Sequence, residues 1–100
     1  MNRYQFTNKA VEDLSNVWNF TFDTWSKIRA DKYYSDLVDT CVEMAGKPFL
    51  GRNYSDIIET VKGVKINRHI IFYRTIKDDL IEIERILHER MDTSWRVAKK

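Results

Sequence analysis

One hundred residues, 43% of them hydrophobic, suffice for one domain (1–100) with its own core and without a disulfide or metal staple. A net charge of +2 forces no polyelectrolyte footprint, so strong direct nucleic-acid binding is not expected. The lone Cys41 excludes an internal disulfide and fits a reducing compartment, and with no signal peptide and no apolar run of roughly 18–20 residues the expected location is cytoplasmic, off the membrane.

In chain order, Arg3 to Phe6 reads as a short strand with Tyr4 and Phe6 on one face. Thr7 is a helix N-cap candidate, because its hydroxyl can accept from a free amide of the first turn. Ala10, Val11, Leu14, Val17, Trp18 and Phe22 then follow the spacing of an amphipathic helix. Asp13, Asn16 and Asn19 fill its polar face, and it ends near Thr21–Thr24. A second helix begins at about Thr24, with an apolar set of Trp25, Ile28, Tyr33, Tyr34, Leu37, Val38, Cys41, Met44 and Ala45. Gly46 is expected to stop it in the left-handed conformation, and Pro48 prevents continuation. A short link between such helices implies an antiparallel helical hairpin.

Residues 47–59 read as a loop, with Ser55–Glu59 open between a helical turn and a strand. Val61–Ile66 is a strand interrupted by Gly63, and Asn67-Arg68 suits a two-residue connection because Asn tolerates positive φ. Arg68–Arg74 is rich in β-formers, and Leu80 onward alternates apolar and charged residues across the break at Lys77–Asp79. These two runs form a second hairpin. The expected fold is α+β, ordered βααβββ, with an antiparallel sheet covered on one face by the N-terminal helical hairpin. The tail after about Ser94 is loosely specified.

The residues point to little catalytic chemistry. His69, His88 and Cys41 lack zinc-ligand spacing, so no metal is expected. Cys41 lies on an apolar helical stripe, where a thiol behaves as a small hydrophobe. There is no nucleophile elbow or phosphate-binding glycine loop, and no cofactor is expected. His69 and His88 fall at strand ends, within reach of each other across the hairpin. Arg85 shares the strand phase of Ile81, Ile83 and Leu87. It is a margin residue reaching water along its stem, the mark of a bulge that switches faces, or a functional charge on a rigid strand. Trp18, Phe22, Trp25, Tyr33 and Tyr34 have helical spacing, for which the ordinary reading is core. Trp95 either pins the tail or belongs to a binding surface.

Residues Arg85-Ile86-Leu87-His88-Glu89-Arg90-Met91-Asp92 and His69-Ile70-Ile71-Phe72-Tyr73-Arg74 resemble the ParE branch of the RelE/ParE toxin superfamily. Weaker matches fall in the right order: Thr7-x-x-Ala10-x-x-Asp13-Leu14, Trp25, and Pro48-Phe49-Leu50-Gly51-Arg52. The resemblance covers about residues 3 to 92. It implies a helical hairpin on an antiparallel sheet, in agreement with the order above. It further implies the toxic component of a bacterial type II toxin–antitoxin system, one that inhibits DNA gyrase and is neutralised by a cognate antitoxin.

The alternative is a RelE-like, ribosome-dependent mRNA endoribonuclease. Such nucleases place a basic residue in the strand that corresponds to His69–Tyr73. Here that position is Ile70 or Ile71, which offers no charge to a cleaved phosphate. Under the nuclease reading the catalytic set is Arg85, His88 and Arg90. Under the gyrase reading, which is not enzymatic, the target-binding set is Arg68, Arg74, Arg85, His88, Arg90, Asp92 and Trp95. The antitoxin is expected to bring a disordered segment that folds onto the helical hairpin's outer groove or the edge of the first strand. Its contacts would be Trp18, Phe22, Trp25, Tyr33 and Tyr34.

Overall fold

A computed structural model describes residues 3–53 and 61–89. Chain order is β1 (Arg3–Phe6), α1 (Asn8–Thr24), α2 (Lys27–Gly46), a 3-10 turn at Pro48–Leu50, β2 (Arg52–Asn53), β3 (Lys62–Ile66), β4 (His69–Lys77) and β5 (Leu80–His88). The expected elements are all present, and a two-residue strand, β2, adds to them. The undecided stretch Ser55–Glu59 and the tail lie outside the described residues.

Thr7 caps α1 as its position predicts. Its extended backbone lets Oγ1 accept from the Ala10 N–H at 3.0 Å, a bond of a kind that contributes about 1 kcal/mol. The same residue fastens the helix to the sheet. Its hydroxyl donates to the Glu84 carbonyl at 2.9 Å and its N–H to the Ile83 carbonyl at 3.0 Å. From there Ala10, Leu14 and Val17 turn inward at helical spacing.

The helix-to-helix link falls slightly later than the sequence suggests. Trp25 closes α1 by donating its N–H to the Thr21 carbonyl, and Ser26 caps α2 by accepting from Arg29 N–H at 3.1 Å. Trp25 and Ile28 are therefore outside the buried stripe, 63% and 82% exposed. The inward face of α2 is Ala30, Leu37, Cys41, Met44 and Ala45. The aromatic stripe is core only in part: Phe22 and Tyr34 are also exposed, Trp18 is half-buried, and Tyr33 packs half-buried against the core. Small and aliphatic residues fill the seam instead, because the helices lie close together and onto the sheet.

The end of α2 corrects a second expectation. No described glycine has positive φ, and Gly46 is still helical. Lys47 makes the break: its N–H still bonds Glu43 O at 3.0 Å, but its φ of −140° leaves the helix and Pro48 starts the 3-10 turn. The sole described non-glycine residue with positive φ is Asn67, at 52°. It sits in the two-residue link between β3 and β4, where such a turn requires it.

The sheet order is β1-β5-β4-β3-β2. Strands β2 to β5 are antiparallel neighbours, whereas β1 pairs in parallel with β5 from Arg3↔Leu80 to Phe6↔Ile83. The sheet is thus mixed rather than wholly antiparallel. β4 is paired on both sides, so the exposed edge of β5 receives β1, and the long excursion through both helices permits a parallel pairing. Gly63 does not interrupt β3, which runs unbroken past Phe72 on one side and Arg52 on the other.

A β-bulge decides which side of β5 faces the helices. Phe72 is opposite Arg85 and Tyr73 is opposite Ile83, so the register steps past Glu84. Ile81 and Ile83 before the bulge and Ile86 after it therefore join one core with Ile71, Tyr73 and the helical residues. On β4 alternate residues point to opposite faces, so Ile70 and Phe72 fall on the other side, in a second cluster with Val61 and Leu87. Among the described residues, no helix is long and apolar enough to cross a membrane.

Candidate functional site

The bulge creates a buried charge contact between distant parts of the chain. Asp13, 8% exposed, receives Arg85 Nε at 2.8 Å and Nη2 at 3.0 Å, and also accepts the Ile86 N–H at 3.0 Å. Two parallel N–H···O bonds fix the guanidinium plane. The Asp13 hydrogen bond holds the Arg85 pKa above its usual value. Of the three readings of Arg85, the bulge is the one present, and its charge is committed to Asp13. Asp13 was assigned above to the polar face of α1. The signal that it belongs inside was its place three residues after Ala10 and four before Val17, on the apolar stripe itself.

The other basic candidates separate. Arg68 and His88 meet at one end of the β4–β5 pair. Arg74 is five residues along β4 from His69, roughly 16 Å at the rise of a strand, and its Nε lies 3.1 Å from Glu84. Arg68 lies 3.6 Å from Glu89, which also holds Lys65 at 2.8 Å. Arg90, Asp92 and Trp95 lie outside the described residues.

Where Arg68 and His88 meet, a cleft of about 770 Å³ opens between the end of α1, the start of α2 and the β3–β4 turn. Its apolar wall is Phe20, Trp25 and Ile28, with the Arg29 guanidinium 4.9 Å from the centre of the Trp25 ring. Its other wall is Asn67, Arg68, His69 and His88. Tyr33 lies at the base, its hydroxyl 2.7 Å from His69 Nδ1 and 3.3 Å from the Ile66 carbonyl. The two histidine rings meet edge to face with centres 5.3 Å apart, so the pair suggested by the strand ends is formed. Burial, reinforced by His88, lowers the His69 pKa to about 4. His69 is therefore neutral near pH 7 and poorly suited to give up a proton there.

The aromatic candidates divide between two surfaces. Trp25 and Tyr33 belong to this cleft. Trp18 and Tyr34 line a second recess of about 430 Å³ on the outer side of the helical hairpin, with Ser15, Asn19 and Asp31. Phe22 stacks on Trp18 at 5.2 Å, nearly parallel, and the Trp18 indole donates to Asp31 at 3.1 Å. Large flat side chains left exposed in register along a helix pair form a surface suited to a partner protein. Cys41 is buried, and burial raises its pKa to about 12, so it is an inert thiol.

A helical hairpin on a mixed five-stranded sheet, with aromatic and basic side chains exposed on its surface, defines a small α+β protein. The same fold occurs in a solved chain from the chromosomal ParDE TA system of P. aeruginosa, with a TM-score of 0.75, 20% identity, and coverage of 88% of this chain and 96% of that one. Toxin ParE1 of Mycobacterium tuberculosis is 30% identical over 90 residues, 90% of this chain and 92% of its own length. Toxin ParE1 of Caulobacter vibrioides is 26% identical over 92 residues, 92% of this chain and 94% of its own. The family model described as ParE toxin of type II toxin-antitoxin system, parDE, matches residues 4–93. The chain belongs to the ParE toxin family of type II toxin–antitoxin systems. An antitoxin partner follows from that membership.

Proposed function

We propose that this toxin acts on DNA gyrase, stabilising a cleaved-DNA complex and so stalling replication, and that it does so as a binding protein rather than as a nuclease. The observation that carries this choice is the state of Ile70 and Ile71, 6% and 0% exposed. They occupy the strand position where RelE-like nucleases hold a basic residue, and each is packed into a hydrophobic cluster. Two of the nuclease candidates support the same choice. Arg85 is tied to Asp13 and His88 faces a neutral histidine.

The target surface in this reading comprises Arg68 and His88 at the cleft, Arg74, Arg85, and the residues Arg90, Asp92 and Trp95. Purified toxin added to gyrase is expected to block supercoiling and to accumulate cleaved DNA, while primer extension on translated mRNA shows no new codon-spaced 5′ ends. Unimpaired supercoiling together with codon-spaced cuts would transfer the chain to the nuclease reading.

The antitoxin is assigned to the helical aromatics: half-buried Trp18 with exposed Phe22 and Tyr34 along the outer side of the helical hairpin, and Trp25 with half-buried Tyr33 at the cleft. Such residues anchor a segment that folds on binding. Trp18→Ala is expected to weaken antitoxin binding at least tenfold in calorimetry, since buried aromatic anchors typically contribute about 2 kcal/mol or more. An unchanged affinity would move the antitoxin to another face, the free edge of β1 first.

A further inference from the structure

The cleft where Arg68 and His88 meet carries the chain's surplus charge. Its described lining holds three cations, Arg29, Lys32 and Arg68, against one carboxylate, Asp36. That excess of two equals the +2 of the whole sequence with histidines counted neutral. The outer recess differs, since its described lining has Asp31 and no cation. A concave surface of one sign concentrates ligands of the other.

None of the three cations is locked in place. Among the described residues Arg29 has no carboxylate partner, and its guanidinium lies over the Trp25 ring. The Lys32–Asp36 pair, at 3.3 Å, joins exposed side chains one helical turn apart. Arg68 lies 3.6 Å from Glu89, whose nearer partner is Lys65 at 2.8 Å. Solvent-exposed pairs of this kind contribute little, so a carboxylate from a partner can take over these donors. The guanidinium forks of Arg29 and Arg68 suit such a carboxylate in two-point contact.

The apolar wall decides the class of ligand. Phe20, Trp25 and Ile28 are 66%, 63% and 82% exposed in the same cleft. A small anion would leave them in water. Nucleic acid stacks its bases on rings, yet the most exposed of the three is Ile28, which has none. A peptide with a large apolar side chain beside its acids covers all three and reaches the cations. We propose that the part of the antitoxin that enters this cleft is an acidic segment, with carboxylates on Arg29 and Arg68 and a large apolar side chain on Phe20, Trp25 and Ile28. This rests on the placement of the antitoxin along the helical aromatics, and it adds the chemistry of the segment that fits.

Calorimetry of the full toxin with its full-length antitoxin, at low and high salt, is the test. Arg29→Glu is expected to weaken binding at least about tenfold, because it turns an attraction into a repulsion, and to leave an affinity less dependent on salt than the parent's. Ile28→Ser is expected to weaken binding roughly tenfold with the salt dependence unchanged. Both side chains are exposed, so both variants are expected to fold, which circular dichroism checks. Loss with only one of the two variants would mean an uncharged segment or a bare anion, and overturns the proposal. Full affinity in both, with Trp18→Ala still weakening binding, removes the acidic segment from the cleft but keeps the antitoxin on the outer side of the hairpin. Full affinity in all three overturns the antitoxin's placement as well. Saturable binding of a single-stranded DNA oligonucleotide that Arg29→Glu abolishes, while antitoxin affinity is untouched, gives the cleft to nucleic acid instead.

Discussion

Asp13→Ala is expected to cost about 3–5 kcal/mol, the usual consequence of removing one member of a buried ion pair. For a chain of this size that is a large share of a total stability of roughly 5–15 kcal/mol. The substitution strands three N–H donors on two residues at once. The Arg85 guanidinium loses both its bonds to the carboxylate, and the Ile86 N–H loses its acceptor. The side chains of Asp13 and Arg85 are only 10% and 24% exposed, so water replaces little of what is lost.

A double variant separates charge from hydrogen bonding. Asp13→Ala combined with Arg85→Met removes both charges and is expected to be milder than Asp13→Ala alone, because no unpaired guanidinium is left behind. It should still fall short of the parent, since the Ile86 amide remains without a partner, a deficit of about 1–3 kcal/mol. Urea denaturation measures all three. An Asp13→Ala chain within about 1 kcal/mol of the parent would show that the bulge holds without this contact.

The second large effect is at Gly51. Its φ of −68° is open to any residue, so the constraint is space. A Cβ there would overlap the Tyr73 hydroxyl oxygen and come within 2.7 Å of Cζ and 2.9 Å of Cε1. Tyr73 cannot withdraw easily. It is fully buried, its hydroxyl donates to the Pro48 carbonyl at 2.6 Å, and the same oxygen lies 3.6 Å from Met44 Sδ. Gly51→Ala must therefore push the ring or the Pro48–Leu50 turn, with a loss of about 2–4 kcal/mol from overpacking and the broken hydrogen bond. In a thermal melt this is a fall on the order of 10–20 °C.

Coupling between the two residues gives the sharper measurement. Tyr73→Phe deletes the oxygen that the new Cβ would strike. The double variant is therefore expected to lose clearly less than the sum of the single changes. Strict additivity would mean that the turn, rather than the ring, absorbs the methyl group. Position 51 lies in the Pro48–Arg52 connection, so this part of the loop is fitted against a core tyrosine.

These contacts mark the boundary between what was legible in the chain and what was not. Thr7, the apolar spacing from Ala10 to Val17 and that from Leu37 to Ala45 were sufficient for two helices, because caps and helical periodicity act over a few residues. Asn67 and the Lys77–Asp79 break located the hairpins for the same reason. His69 and His88 could be paired from the strand register alone. Errors at this range were small and had local causes. The second helix starts behind a Ser26 cap rather than at about Thr24, and Lys47 rather than Gly46 carried the break.

The amino-acid sequence by itself determined the elements, the α+β class, the helical hairpin over the sheet and, through the order of its motifs, the toxin family. Tertiary structure alone decided the parallel placement of β1 on β5, the closing of Asp13 on Arg85, the fit of Gly51 against Tyr73, and the division of the aromatics between two surfaces. Asp13 and Arg85 are 72 residues apart, and no local propensity connects them. Such pairs are selected by the free edge of a strand, the extra residue of a bulge and the space left between packed side chains, all of which exist only once the helices and the sheet have met.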